Sequence, residues 1–232
     1  MSGHCSHGFT TAKARDEWLR VKGIAANEET QSLVANRDTS KPLYFWQLHS
    51  LLGWQKIEAI VRAFYIRVYE DDEEPWFKES FTRISGLEHH VATQAAFWID
   101  AFGGGRQYHG GDGRINFHHH HNAGQVMNAR GATRWMYHMT RTLNEDIDWS
   151  TEDPRVKPCI VDFLKTRMVK YANSHAWRFD ESDFDALEGD VPLWEDDLKH
   201  MSAADLRRLA RQRSLSTKGL SEKDEFVKLL AV

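Results

Sequence analysis

The clearest periodicity in the chain lies between residues 54 and 69. Trp54, Ile57, Val61, Phe64 and Val68 recur every three or four positions, with Lys56, Glu58, Arg62 and Arg67 between them. That spacing gathers the apolar side chains on one stripe of a helix and the charges on the other. Tyr65 sits beside the stripe. A shorter helix over 44–52 precedes it and stops at Gly53. Asp71-Asp72-Glu73-Glu74-Pro75 closes the long helix, and Trp76, Phe77 and Phe81 follow as an aromatic corner. A second stripe, Leu87, Val91, Ala95, Trp98 and Phe102, predicts a helix from about 86 to 102. Gly103-Gly104-Gly105 ends it, because glycine tolerates a left-handed cap. His90, Gln94 and Phe97 run beside that stripe at i, i+4 and i+7. Polar groups on a line facing the core need partners, so they lie either at the solvent margin or against a ligand.

The second half repeats the pattern. A glycine-rich loop with Tyr108 extends to Asn116, and then comes Phe117-His118-His119-His120-His121. Residues 126–144 predict a helix with Ala132, Trp135, Met136, Met139 and Leu143 inward. Ser150-Thr151-Glu152-Asp153-Pro154 is a helix start with hydroxyl, acids and an early proline. It opens a helix to about Asn173 that buries Val156, Ile160, Phe163, Leu164 and Tyr171. Residues 1–40 are polar and read as a poorly ordered extension with a short helix over 12–21. Residues 178–197 are acidic, without a sustained period, and read as linker. Ser202-x-x-Asp205 and Ser221-x-x-Asp224 resemble capping boxes. They open two short helices whose apolar faces (Leu206, Leu209, Phe226, Leu229, Leu230) must pack together to be stable.

Composition narrows the picture. The chain has 232 residues and a formal charge of -4, so no chain-wide field draws it to nucleic acid or acidic membrane. No apolar run is long enough to span a bilayer, and the first residues lack a basic-then-apolar signal layout. These features predict an intracellular, cytoplasmic protein without membrane association, while the mildly basic stretch 10–15 leaves organelle targeting open. Two cysteines, Cys5 and Cys159, make neither a disulfide framework nor a cysteine zinc site. Five prolines and no tandem repeat point to an all-α fold. Nine Trp and twelve Phe furnish either a large aromatic core or a pocket for a flat ligand. An imidazole among aromatic walls is what a haem iron needs.

The stretches Phe64 to Phe77, Gly103-Gly104 with Tyr108, and Arg134-Trp135-Met136-Tyr137-His138-Met139 resemble the truncated, two-over-two haemoglobins, closest to group II and its plant-type forms. The resemblance covers about 44–177 and implies a two-over-two globin fold binding haem b. It implies that Tyr65, Gln94 and Trp135 donate to bound dioxygen, and that Phe81 packs on the haem at the corner. His90 falls where close relatives often carry a small residue. A gap-free count from Gly103 makes His121 the iron ligand with Phe117 one turn before it. Likeness around Arg114-Ile115-Asn116-Phe117 favours His119 instead, and His120 is the third choice. Phe97 completes the expected haem contacts. The family's proline and aromatic after this histidine are replaced by Asn122-Ala123-Gly124.

The histidine run has a second reading as a zinc, copper or nickel site, but adjacent imidazoles on one helix point different ways. The segment from 200 to 232 resembles a SAP-type helix–loop–helix. Its Arg207, Arg208, Arg211, Arg213 and Lys218 make either a phosphate-facing surface or a solvated one. The expected organisation is an extension at 1–40, a globin domain at 41–177, an acidic linker at 178–199 and the SAP-like module at 200–232. The expected function is reversible binding of dioxygen, NO or CO at a histidine-ligated iron, for sensing or for NO dioxygenase or peroxidase-like chemistry with an unidentified reductant. The rivals are a protein or DNA partner bound through the tail, with the globin as sensor, and a relic that no longer holds haem. Whether the iron is five- or six-coordinate, with Tyr65 or His90 as sixth ligand, stays open.

Overall fold

A computed structural model describes residues 8–179, 198–199, 201–212 and 215–231. Most of the predicted acidic linker, together with Cys5, His200 and Arg213, lies outside the described residues. The chain divides into two compact units, residues 1–181 and 182–232.

In the first unit a 3-10 turn (Phe45–Gln47) leads into α3 (His49–Tyr69), which is broken at Gly53 by φ 65° and ψ 177°. Only glycine reaches that backbone geometry without strain. Beyond the break, Ile57, Ile60, Val61, Phe64, Tyr65 and Val68 are buried. Trp54 is not on that stripe: it is 49% exposed, and its indole N–H donates to Glu58 at 3.1 Å. Its position is one residue past the break, where the stripe has not yet formed. Next come α4 (Pro75–Thr82) and α5 (Leu87–Ala101), and α3 packs on both. α6 (Gly111–His121) begins well before the predicted loop ends, because Gly110 (φ 92°) and Gly111 (φ 47°) turn the chain directly into it. α7 (Ala129–Arg141) is capped by the Asn128 side chain, which accepts from Gly131 N–H at 2.9 Å, and packs on α3. α8 (Val156–His175) completes the unit.

The N-terminal segment departs from its expectation. α1 (Thr11–Lys22) is there as predicted, with the single-turn α2 (Glu28–Gln31) after it, but it is packed rather than loosely ordered. Asp100, fully buried at the end of α5, accepts from Phe9 N–H (3.0 Å) and from Thr10 through both N–H and hydroxyl (2.8 Å each). The same carboxylate accepts from the Gln107 and Tyr108 N–H groups at 3.2 and 3.1 Å. Trp18 then donates to Asp162 on α8 at 3.0 Å, and Lys170 pairs with Glu17 at 2.6 Å. A polar segment is thus fixed because its polar groups meet buried or partly buried partners far along the chain.

A buried ionic knot ties the end of α3 to α7. Asp71 accepts from Arg134 Nε at 2.8 Å and Nη2 at 2.5 Å, and from His138 Nε2 at 2.8 Å. Asp71 also accepts from the Glu74 N–H at 3.1 Å, at the start of α4. Burial alone would raise the Asp71 carboxyl. Hydrogen bonds from His138 and Arg134 overcome that and hold it well below the usual carboxylate range.

The second unit contains α9 (Ala203–Gln212) and α10 (Lys223–Leu230). Leu206, Ala210, Phe226, Val227, Leu230 and Leu198 form its core, with Leu209 and Leu229 against it, as the apolar faces predict. The Ser202 hydroxyl accepts from Asp205 N–H at 3.1 Å and donates to the Asp205 carboxylate at 2.6 Å, so one half of the first capping box forms. The second is built differently: Glu225, not Asp224, accepts from the Ser221 and Glu222 N–H groups at 2.8 and 2.9 Å. Arg207 lies over the Phe226 ring at 5.1 Å and Arg208 pairs with Asp205 at 3.1 Å, which engages part of the expected basic face. No helix among the described residues is long and apolar enough to cross a membrane.

Candidate functional site

α3, α5, α6, α7 and α8 enclose a cavity of about 150 Å³. A single water needs roughly 10–15 Å³ of such space, so the cavity suits a group much larger than a diatomic gas. Tyr65 enters from α3; His90, Gln94 and Phe97 from α5; Trp135 from α7. These five expected residues are brought together. Tyr65 is buried, and burial raises its hydroxyl far above the ordinary phenol value, so it stays a neutral donor. His90 stacks on Tyr65 at 5.2 Å. Its Nε2 lies 3.0 Å from the Phe81 carbonyl, which can only accept, so Nε2 carries the proton. Burial lowers the His90 pKa and outweighs the opposing effect of that hydrogen bond, leaving it neutral and tied to the carbonyl. Trp135 leans on Phe64 at 4.7 Å. Phe81 does not line the cavity; it packs behind Tyr65 and His90, at 6.0 and 5.7 Å.

The histidine run resolves by helical register. Ile115 is buried on α6, and His119, one turn on, shares its face and lines the cavity with His118. Phe117 is 59% exposed. His121 is exposed too, stacked on Phe117 at 4.2 Å, with its Nδ1 on the Phe117 carbonyl at 3.0 Å. The gap-free choice of His121 and Phe117 therefore selects the outward face of α6. His120 is likewise exposed. His119 lies edge-on to Tyr171 at 4.5 Å. Burial, helped by neighbouring His118, pushes its pKa down to about 3, so the imidazole is neutral with a lone pair to give. Among the described residues no three His, Cys, Asp or Glu side chains are grouped to hold a metal ion on their own. Periodicity on α8 could have shown one further lining residue: Arg167 continues the register of Phe163 and Tyr171, which were read as inward.

The family model for bacterial-like globins matches residues 47–170, more than half of the chain, and the chain belongs to that family. It is also 32% identical over 110 residues to two-on-two hemoglobin-3 of Arabidopsis thaliana, covering 47% of this chain and 61% of that one. The chain therefore matches less than two thirds of that relative's length.

Globin membership implies haem iron, and the cavity's residues fit it. A neutral imidazole, several neutral donors and apolar walls from Phe97, Phe163, Leu164 and Met168 surround one space. Two buried N–H donors that line it, Arg167 Nη2 and Trp177 Nε1, have no hydrogen-bond partner among the described residues. Buried donors are seldom left so, which marks a place for an acceptor brought by a ligand.

Proposed function

We propose that this chain is a haem protein that binds dioxygen, and NO or CO, with His119 as the iron ligand. The supporting observation is that His119 shares one cavity with Tyr65, Gln94 and Trp135. Haem iron supplies the affinity for diatomic gases. Tyr65, Gln94 and Trp135, which line the cavity, would offer neutral donors to a gas bound there. His90 holds the Tyr65 ring in place by stacking, and its own Nε2 proton is committed to Phe81. Several donors favour slow release, which suits sensing or redox chemistry with a reductant more than transport. No observation of comparable weight favours a function carried by the C-terminal unit.

The test is an absorption spectrum of the haem-reconstituted protein in ferric, ferrous and CO-bound forms. A sharp Soret band that moves on reduction and again with CO is expected; failure to take up haem stoichiometrically ends the reading. Tyr65→Phe should speed dioxygen release by about tenfold, since a hydrogen bond in a buried site contributes ~1–1.5 kcal/mol. An unchanged release rate in stopped flow would remove Tyr65 from the site's chemistry.

A further inference from the structure

Arg167 is 8% exposed, on the cavity-facing side of α8. Its guanidinium lies 5.4 Å from the Phe97 ring and 5.3 Å from the Phe163 ring. Ring faces attract a cation but accept no full hydrogen bond, and Nη2 has no partner. Among the described residues lining the cavity, none is Asp or Glu. Arg167 also borders the groove beneath α1, where the one lining carboxylate, Glu17, is taken by Lys170 at 2.6 Å. A guanidinium cannot shed its proton to escape such burial. Left alone it is an uncompensated charge, which folded proteins pair or expose. Among the described residues no carboxylate pairs this cation, which leaves it to meet one brought by a ligand.

We propose that Arg167 binds a carboxylate of the cavity's ligand, namely a propionate of haem. A planar fork of N–H groups matches a carboxylate in geometry and charge, and such charge-assisted bonds are the strong ones. The rings of Phe97 and Phe163 both lie against the guanidinium, so part of its freedom is already lost before binding. Trp177, also on the cavity wall, offers a second N–H to the same group. This inference rests on the haem reading above and adds to it which end of the macrocycle faces α8.

The experiment compares ferric haem with its dimethyl ester on the full chain, in wild type, Arg167→Met and Arg167→Lys. The rate of transfer to a haem-scavenging apoglobin is followed by the Soret band. Wild type should release the diester at least ten times faster than the diacid. Arg167→Met should release both at similar, fast rates, and Arg167→Lys should regain part of the difference. Circular dichroism checks that each variant folds, and Arg167→Lys carries the test should Arg167→Met fail to fold. Arg167→Met with the wild-type ratio intact overturns the proposal, even if both rates rise, because that pattern belongs to a packing role. A wild type that binds haem without penalising the diester overturns this proposal alone. A wild type that takes up no haem overturns the haem reading and this proposal with it.

Discussion

His119→Ala should strip the protein of its haem spectrum, while His121→Ala should leave that spectrum unchanged. The two residues lie two positions apart on α6 and so face nearly opposite ways. His119 shares the face of buried Ile115 and meets Tyr171; His121 shares the face of exposed Phe117. A metal ligand must offer a lone pair, and the half-buried His119 imidazole stays neutral far below physiological pH. Losing an outer-shell partner typically costs 10–100-fold in metal affinity, so loss of the ligand itself should cost more than about 100-fold. Removing the exposed His121 should change stability by no more than about 0.5 kcal/mol. Haem titrations of the two variants decide the matter, with His118→Ala alongside, since His118 lines the same cavity. A normal Soret band in His119→Ala, lost instead in His121→Ala, would reverse the assignment.

The reason the gap-free count selects the exposed face of α6 is specific. Ile115 and Phe117 are both apolar and two residues apart, so each could be the inward residue, and each carries a histidine one turn later. The gap-free count chose Phe117, but the two adjoining glycines start α6 early and set its register by Ile115. The helices themselves were legible, because the stripes of α3, α5, α7 and α8 are long and regular. That Tyr65, Gln94 and Trp135 line one cavity followed from the same stripes plus the family likeness. The docking of α1 was not legible: it depends on Asp100, some ninety positions from the Thr10 groups that donate to it. Arg167 was legible in principle, as a charge in the register of Phe163, yet a long basic side chain in an apolar stripe usually reaches past it to water.

Asp71→Ala should destabilise the first unit by about 3–5 kcal/mol, the cost of breaking a buried ion pair and leaving its partner uncompensated. The Asp71 side chain is 1% exposed and that of Arg134 is 6%, so solvent does little to screen the loss. Glu73 also meets Arg134 at 3.0 Å, but at 56% exposure it compensates only in part. A drop in melting temperature on the order of 10 °C should follow for a unit of this size. Arg134 and Trp135 are adjacent on α7, so releasing the knot also loosens the helix that presents the indole to the cavity. The knot gives stability a definite pH dependence. The folded Asp71 pKa is depressed, so its contribution is present above the unfolded carboxylate pKa of about 4 and is lost as pH falls through the folded value. His138 is depressed as well, by burial first, so the unfolded chain takes up its proton more readily below about pH 6.5. Both terms act in one direction: acid weakens the fold. Urea melts between pH 7 and pH 3 should show stability falling as pH falls, and Asp71→Asn should flatten the part below about pH 4. A variant that keeps the wild-type acid limb would show that other carboxylates set it. In that case the knot fixes the approach of α7 to α3 without governing the response to acid.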